Sequence, residues 1–408
     1  MKKNFALLML VLGFITNAFP QNAQDLIDKL KIELKTKPDQ KRTATIYSDL
    51  TWYYSNISID SALVYGDKAL LQSAKVGDSV IIAQVFGDVG NVYLKKGDYN
   101  ECLKYYNKVL VIRKLKKDII GEAKTYAGIA LVYNNQTKYN LSMKNYLIAL
   151  DYVNKTDDEK TKNNIKNAMS ALFLDLKDFK KALIYSQQSI DYFENIKSKP
   201  TLCPMYINLG NIYLGLKDTL NAVKFYEKGK IICNETGNKL FLSKALNNIG
   251  VIKDAQKKYE DSKKLFDEST QNRKEVNFGK IDFEMQFNDI DVLNRAGKFR
   301  ESKTLLLKLK NHFEIQKNYK LLIIAYKLLL PVCSNLREND SVSYYQMKFL
   351  GLNQKINNAE IFKKTIELET KYQTAKKEKI IIAQEAENKR QNLLNIIITI
   401  ACAQMVHT

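Results

Sequence analysis

Apolar positions along this chain return at helical spacing, and the helices they mark return at a period of 40 residues. Gly90, Ala130, Ser170, Gly210, Gly250 and Ile290 stand 40 apart, most of them after an apolar residue. A large ring follows three residues later at Tyr93, Tyr133, Phe173 and Tyr213. A second small column, Cys102, Ser142, Ala182, Ala222, Ser262 and Ser302, keeps the same spacing. Stacked units of one length produce such columns, because each unit buries its apolar face only against its neighbours. The small columns predict places where the two antiparallel helices of a hairpin cross closely. The ring after the first column is expected to fill the gap to the next hairpin.

The punctuation agrees with hairpins. Lys96-Gly97-Asp98 ends one helix, with Gly97 suited to a left-handed cap, and Tyr99 opens the next. Junctions at Asp178-Phe179, Lys258-Tyr259 and Lys298-Phe299 repeat the sentence. Gln24 to Leu34 reads as a short amphipathic helix broken at Pro38-Asp39, and a divergent first unit covers Ala44 to Leu70. The last unit, near Leu321 to Leu350, loses the pattern: Leu330 takes the small place and Pro331 follows it. The fold predicted is all-α, a right-handed superhelical solenoid of seven or eight hairpins over residues 24–350.

Residues 353–392 change character. Ile361, Leu368, Ala375 and Ile382 are seven apart among many charges, which predicts one long charged helix with a weak coiled-coil seam and a homodimer through it. The apolar run at 393–408 is shorter than the roughly 20 residues a spanning helix needs, so it reads as a truncated or marginal membrane segment. At the other end, Lys2 and Lys3 precede an apolar core from Phe5 to Ile15, with Ala18 near a cleavage position. Residues 1–18 are therefore expected to be a secretory signal peptide. The chain is then exported and stands on the periplasmic side of a bacterial inner membrane, attached through its C-terminus.

Composition narrows the function classes. The formal charge is +20, from 64 basic and 44 acidic side chains in 408 residues. No basic segment is concentrated and interleaved with aromatics, so a nucleic-acid partner is not expected. Cys102, Cys203, Cys233 and Cys333 fall in helical stretches with no CxxC or Cys/His grouping, and read as small buried helix residues rather than disulfide or metal ligands. Only two histidines occur, His312 and His407, and no P-loop, GxGxxG, HExxH or GxSxG sequence is present. The expectation is no enzyme, no cofactor and no metal.

One polar column is a candidate site. Asn208, Asn248 and Asn288 are 40 apart, two residues before the small column, and Asn91 and Asn211 stand one residue after it. An asparagine amide donates and accepts at once, so a ladder of them can pair with the main chain of a bound peptide. Lys244 and Asn247 lie nearby and could meet a carboxylate.

These residues resemble the tetratricopeptide repeat. The resemblance rests on Gly90, Tyr93, Ala130, Tyr133, Gly210, Tyr213 and Gly250 in the first helices and on Ala182 and Ala222 in the second, over roughly residues 44–350. The unit of 40 departs from the usual 34, as in variants with longer helices or turns. In such folds the first helices line a concave groove that takes a protein or peptide, so the asparagines are expected there. With the charged helix and apolar run, the chain also resembles the periplasmic repeat and linker part of tetratricopeptide-containing sensor histidine kinases and helix-turn-helix regulators of Bacteroidetes type. That resemblance implies the sensory part of a membrane signalling protein. The output domain of those proteins is not among the 408 residues, so no activity carries over. The alternatives are a soluble secreted scaffold and a truncated sensor kinase without its catalytic domain.

Overall fold

The computed structural model describes residues 23–275 except 56, then 287, 290, 293, 294, 296–356 and 359–406. The signal peptide expected at 1–18 and the ladder residue Asn288 lie outside the described residues, as do the side chains of the apolar run at 393–408. Two units divide the chain, one ending at Asn357 and one starting at Asn358.

The first unit is built from helices α1 (Ala23–Lys35), α2 (Gln40–Tyr54), α3 (Ile59–Val76), α4 (Ser79–Lys96), α5 (Tyr99–Leu115), α6 (Ile119–Asn135), α7 (Tyr139–Val153), α8 (Glu159–Asp175) and α9 (Phe179–Asn195). It continues through α10 (Lys199–Gly215), α11 (Thr219–Glu235), α12 (Lys239–Ala255), α13 (Tyr259–Glu275), α14 (Phe299–Ile315), α15 (Tyr319–Asn335) and α16 (Asn339–Ile356). From α2 onward the helices pair as antiparallel hairpins, α2 with α3 through α12 with α13, and then α15 with α16. Helical backbone at 287, 290, 293 and 294 stands where the period places the first helix partnering α14.

The true module is half the period. Helices start 20 residues apart at 59, 79, 99, 119 and onward, and most are 17 residues long with three linking residues. The turn explains the regularity. Lys117, Lys177, Lys197, Lys217, Lys257 and Lys317 hold positive φ, as do Gly77, Gly97, Gly237 and Gly297, all at the same place in the 20-residue frame. The amide after this residue bonds back to the helix, as Asp218 N does to Tyr213 O at 2.9 Å, which closes a Schellman turn. The same Asp218 then caps the next helix, accepting from Asn221 N at 3.0 Å. Asp98, Asp118, Asp158, Asp178, Asn238 and Asn318 do likewise. One residue pair thus ends a helix and begins the next. The extra length over a 34-residue unit lies in the helices and not in the turns.

Both small columns are buried, and they face each other: Ser170 Oγ donates to the carbonyl of Ala182 at 2.8 Å. What crosses there is a small residue against a ring sixteen positions later. A Cβ on Gly210 would sit 2.5 Å from the Tyr226 ring, one on Gly90 2.9 Å from Tyr106, and one on Gly250 2.8 Å from Phe266. In hairpin α2–α3 the two registers are filled the other way round: fully buried Leu50 stands at the small place of the first helix and Gly66 at the place of the ring, where a Cβ would lie 3.1 Å from Val89 and 3.6 Å from Thr51. A large and a small residue have thus traded registers, a volume exchange that a close-packed interior can accommodate. The rings after the first column stack inside their own hairpins as well as packing at the interfaces between them: Tyr93 lies against the cluster that holds Ile129 and Val132 of the following hairpin. Tyr93 stacks on Tyr105, Phe173 on Tyr185 and Tyr213 on Phe225 within their own hairpins, at 5.6, 5.4 and 5.3 Å between centroids. Their spacing of twelve returns the chain to the same hairpin level. Tyr106 also bridges hairpins, lying 3.0 Å from where a Cβ of Gly128 would stand, and Phe179 does the same against Gly215.

The cysteines need correction too. Cys203 and Cys233 form a disulfide joining α10 to α11, while Cys102 and Cys333 are free and buried. Their separation of 30 residues hid the pairing, because only the hairpin brings the two sites level. The worn last hairpin still closes: Leu322, Ala325, Tyr326 and Leu329 build its core, and α15 runs through Pro331. The second unit is α17 (Ala359–Val406), one helix of 48 residues, roughly 72 Å long. It joins without interruption the charged helix and apolar run that the sequence separates. Its start falls 40 residues after that of α15, at the next first-helix register. Among the described residues no helix is long and apolar enough to cross a membrane.

Two predictions follow the packing. Gly210→Leu should cost about 3 kcal/mol, and adding Tyr226→Gly, which copies the α2–α3 arrangement, should restore part of the melting temperature. A double variant no more stable than Gly210→Leu alone would contradict the volume exchange. Replacing Cys203 and Cys233 together by Ser should lower stability by about 3 kcal/mol, read by thermal melts, since the bond closes a 30-residue loop.

Candidate functional site

First helices pack on first helices: α2 touches α4, α6 touches α8, α8 touches α10, and α10 touches α12. Among the described residues, second helices show no comparable contact with one another. A stack that is tight on one side and splayed on the other curves toward the tight side. The face of the first helices is therefore the inner, concave one.

Residues six, three and two before the small column, and one after it, share that face, being spaced by about one helical turn. In α12 these are Lys244, Asn247, Asn248 and Val251, all at least partly exposed except where they touch α10. The sequence reading thus places its asparagines on one face, but they serve two ends. Asn91 Oδ1 accepts the hydroxyl of Tyr106 at 2.7 Å. Asn211 Oδ1 accepts the hydroxyl of Tyr226 at 2.6 Å and the amide of Asn248 at 3.1 Å. Asn91 and Asn211 are thereby committed to buried tyrosines, and Asn248 locks α12 to α10. Asn208 and Asn247 are half-buried on the same face with no side-chain hydrogen bond among the described residues. Lys244 lies over the ring of Phe241 at 5.0 Å.

Apolar side chains share the face, which the column of asparagines did not reveal. Leu131 is 39% exposed, Leu214 42%, Val251 51% and Ile324 40%. Leu131 stands where Asn91 and Asn211 stand in their units, and the hydroxyl of fully buried Tyr146 is accordingly left without a hydrogen-bond partner. The face thus mixes amides and aliphatics with a few charged side chains such as Lys244.

The N-terminal end carries two further inter-unit contacts. Ser48 Oγ donates to Asp88 Oδ2 at 2.6 Å, and Lys95 Nζ donates to Ser55 Oγ at 2.8 Å while lying 5.5 Å from the Trp52 ring. Both pairs are 40 residues apart, a signal legible once the divergent first unit is aligned to the period. Burial pushes the Asp88 carboxyl up to about 7, against the Ser48 hydroxyl, which favours the charged form. Nearby Asp49 raises it further and Arg113 opposes that. Among the described residues no group of histidine, cysteine or acidic side chains could hold a metal ion.

Comparison with known proteins matches this geometry. The family model of the SusR N-terminal TPR domain covers residues 16–228, more than half of the chain. The chain belongs to this family. A tetratricopeptide repeat model covers residues 201–275 of the same SusR-type solenoid. Among solved structures, a Rap protein complexed with competence and sporulation factor is similar at 14% identity and a TM-score of 0.59, over 84% of this chain and 95% of that one. The apo form of the quorum sensor NprR from B. thuringiensis is similar at 16% identity and a TM-score of 0.49, over 81% and 93%. No curated protein matches the sequence. The first of these likenesses supports the solenoid fold of the SusR-type repeats.

Asp88 supplies a pH test. A folded-state pKa above the unfolded value means the native carboxyl keeps a proton that the unfolded chain has lost. Stability should therefore fall as pH rises from about 4 to about 7. Asp88→Asn should match the wild type in thermal melts at pH 4 and exceed it at pH 8. Equal melting at both values would contradict the burial of this group.

Proposed function

We propose that the chain is a non-catalytic binding module that holds a segment of a protein or peptide against the inner face of its first helices. The observation that carries this reading is the chemistry of that face. Open amides at Asn208 and Asn247 can pair with a main chain without regard to its side chains. Leu214 and Val251 on the same helices, and Leu131 further along the same face, are exposed and offer contact for apolar side chains of the same segment. Exposed apolar groups on an otherwise charged protein mark an interaction surface. The similar Rap solenoid was solved with competence and sporulation factor bound, which supports a bound partner for this fold.

The wider role is the extracytoplasmic sensory part of a membrane signalling protein. The apolar core from Phe5 to Ile15 supports export, and the Cys203–Cys233 bond suits an oxidising compartment. In this reading α17 dimerises through Ile361, Leu368, Ala375 and Ile382, and the apolar residues after 393 attach it to the inner membrane. Ile382 of that seam is 64% exposed in the single chain, an apolar side chain that a second helix would cover.

Peptides selected from a random library on the wild type should lose about tenfold affinity for Asn208→Ala/Asn247→Ala and for Leu131→Asp. They should bind Lys104→Ala/Lys108→Ala, altered on α5, as before. A chain ending after Ile356 should bind equally but sediment as a monomer. Affinity indifferent to the inner-face changes would refute the groove, and a dimer without α17 would refute the seam.

A further inference from the structure

A stacked-repeat protein touches mainly its sequence neighbours, yet here residues more than 200 positions apart meet. Asn318 Nδ2 donates to the hydroxyl of Tyr99 at 2.9 Å, and both side chains are buried. Two residues on, Lys320 forms an ion pair with Asp175, across 145 positions, and its ammonium lies 6.0 Å from the Tyr139 ring. Asp175 Oδ2 also accepts from Asn134 Nδ2 at 2.9 Å. Gln316 lies beside Gly97.

These partners belong to opposite edges of the stack. Gly97, Tyr99, Asn134 and Asp175 lie at turns within the second, third and fourth hairpins. Gln316, Asn318 and Lys320 lie at the turn between α14 and α15. Contact between the two edges means that the superhelix has come round once and rests on itself. The turn residues Gln136 and Thr137 are 4 and 7% exposed, where a helix-joining turn on a free edge would face water.

The seam is polar and incompletely paired. Asn134 Oδ1 and Gln136 Oε1 are buried without a hydrogen-bond partner. Closing the seam removes these oxygens from water and returns nothing to them, so opening would rehydrate both. The Lys320–Asp175 pair holds the seam by a part-exposed charge contact that salt weakens. Among the described residues the polar contacts across this seam are few, and two stranded acceptors oppose its closure, which suits it to part.

We propose that Lys320, Asp175, Asn134, Asn318 and Tyr99 form a reversible latch that closes one turn of the superhelix on itself and sets its pitch. Opening the latch separates the α14–α15 turn from hairpins two to four while every hairpin stays intact. The proposal stands on these contacts and not on the peptide-binding reading. Where both hold, the latch governs entry to the inner face.

Spin labels on the full chain at Lys138→Cys and Ile315→Cys, both exposed, with Cys402→Ser to avoid a third label, read the seam by their separation. The wild-type background should give one short distance. Lys320→Asp or Asp175→Lys should replace it by a longer, broader distribution at unchanged helicity, and the two together should restore the short one. Raising salt to about 1 M should lengthen the distance reversibly in the unreversed chain. A short distance that survives both charge reversal and salt overturns the proposal. So does a long distance in the unreversed chain at low salt. Should a reversed charge unfold the protein, Lys320→Gln and the salt series decide in the same way. Peptide capture by the groove is measured separately, so a failed latch leaves that reading untouched.

Discussion

The tight crossing of a small residue against a ring is the contact on which the solenoid depends. Gly210 admits Tyr226, Gly90 admits Tyr106, and a single added carbon would enter either ring. Close approach is what lets the ring lie flat across the hairpin and extend to the next one. Tyr106 does both, with Gly90 on one side and Gly128 on the other. Its hydroxyl then needs a partner, and Asn91 supplies it at the surface of the inner face. Packing, hydrogen bonding and the polarity of the groove are thus coupled through one ring. Where Leu131 replaces the asparagine, the Tyr146 hydroxyl goes unpaired and the groove gains an apolar step. A change at the ligand-facing surface is therefore also a change in the hairpin.

The repeat was legible because its strongest constraints fall on single residue types. Glycine, alanine or serine at a crossing leaves a mark at a fixed interval, so the period and the hairpins could be read from Gly90 to Ser302. The half-period was hidden because its residue is not of one kind. The left-handed turn is held by Lys117, Thr137, Lys217 or Gly237, and only the glycines announce it. The capping Asp98, Asp118, Asp178 and Asp218 carry the clearer signal, standing at multiples of 20. The Leu50 and Gly66 exchange defeated column reading for a different reason. With the large residue at the small place and glycine at the place of the ring, the first hairpin looks divergent although both registers are still used in its core.

Site residues divide along the same line. Asparagines on one face could be placed from spacing, but not the direction in which each amide is used. Asn211 is spent on Tyr226 and Asn248, while Asn208, three residues earlier, is open. That difference depends on the tyrosine sixteen positions after Gly210 and on the helix of the next unit. The Cys203–Cys233 bond is of the same type, since its spacing means nothing until the hairpin sets the two helices side by side.

Stability in stacked repeats is close to a sum of neighbouring interfaces, so a local opening need not be felt far away. A closing seam alters that arithmetic. Once α15 rests on the turns of hairpins two to four, a shift in the angle between any two intervening hairpins must be absorbed by the others or released at the seam. Curvature then becomes a property of the whole turn. A segment seated on α6 and α10 would change that curvature where it binds, through contacts at Leu131 and Asn208. The strain would emerge at the weakest closure available, the Lys320–Asp175 pair, and not at the glycine crossings, where no slack exists. Rigid hairpins with a soft seam are what convert many small packing angles into one discrete difference between closed and open.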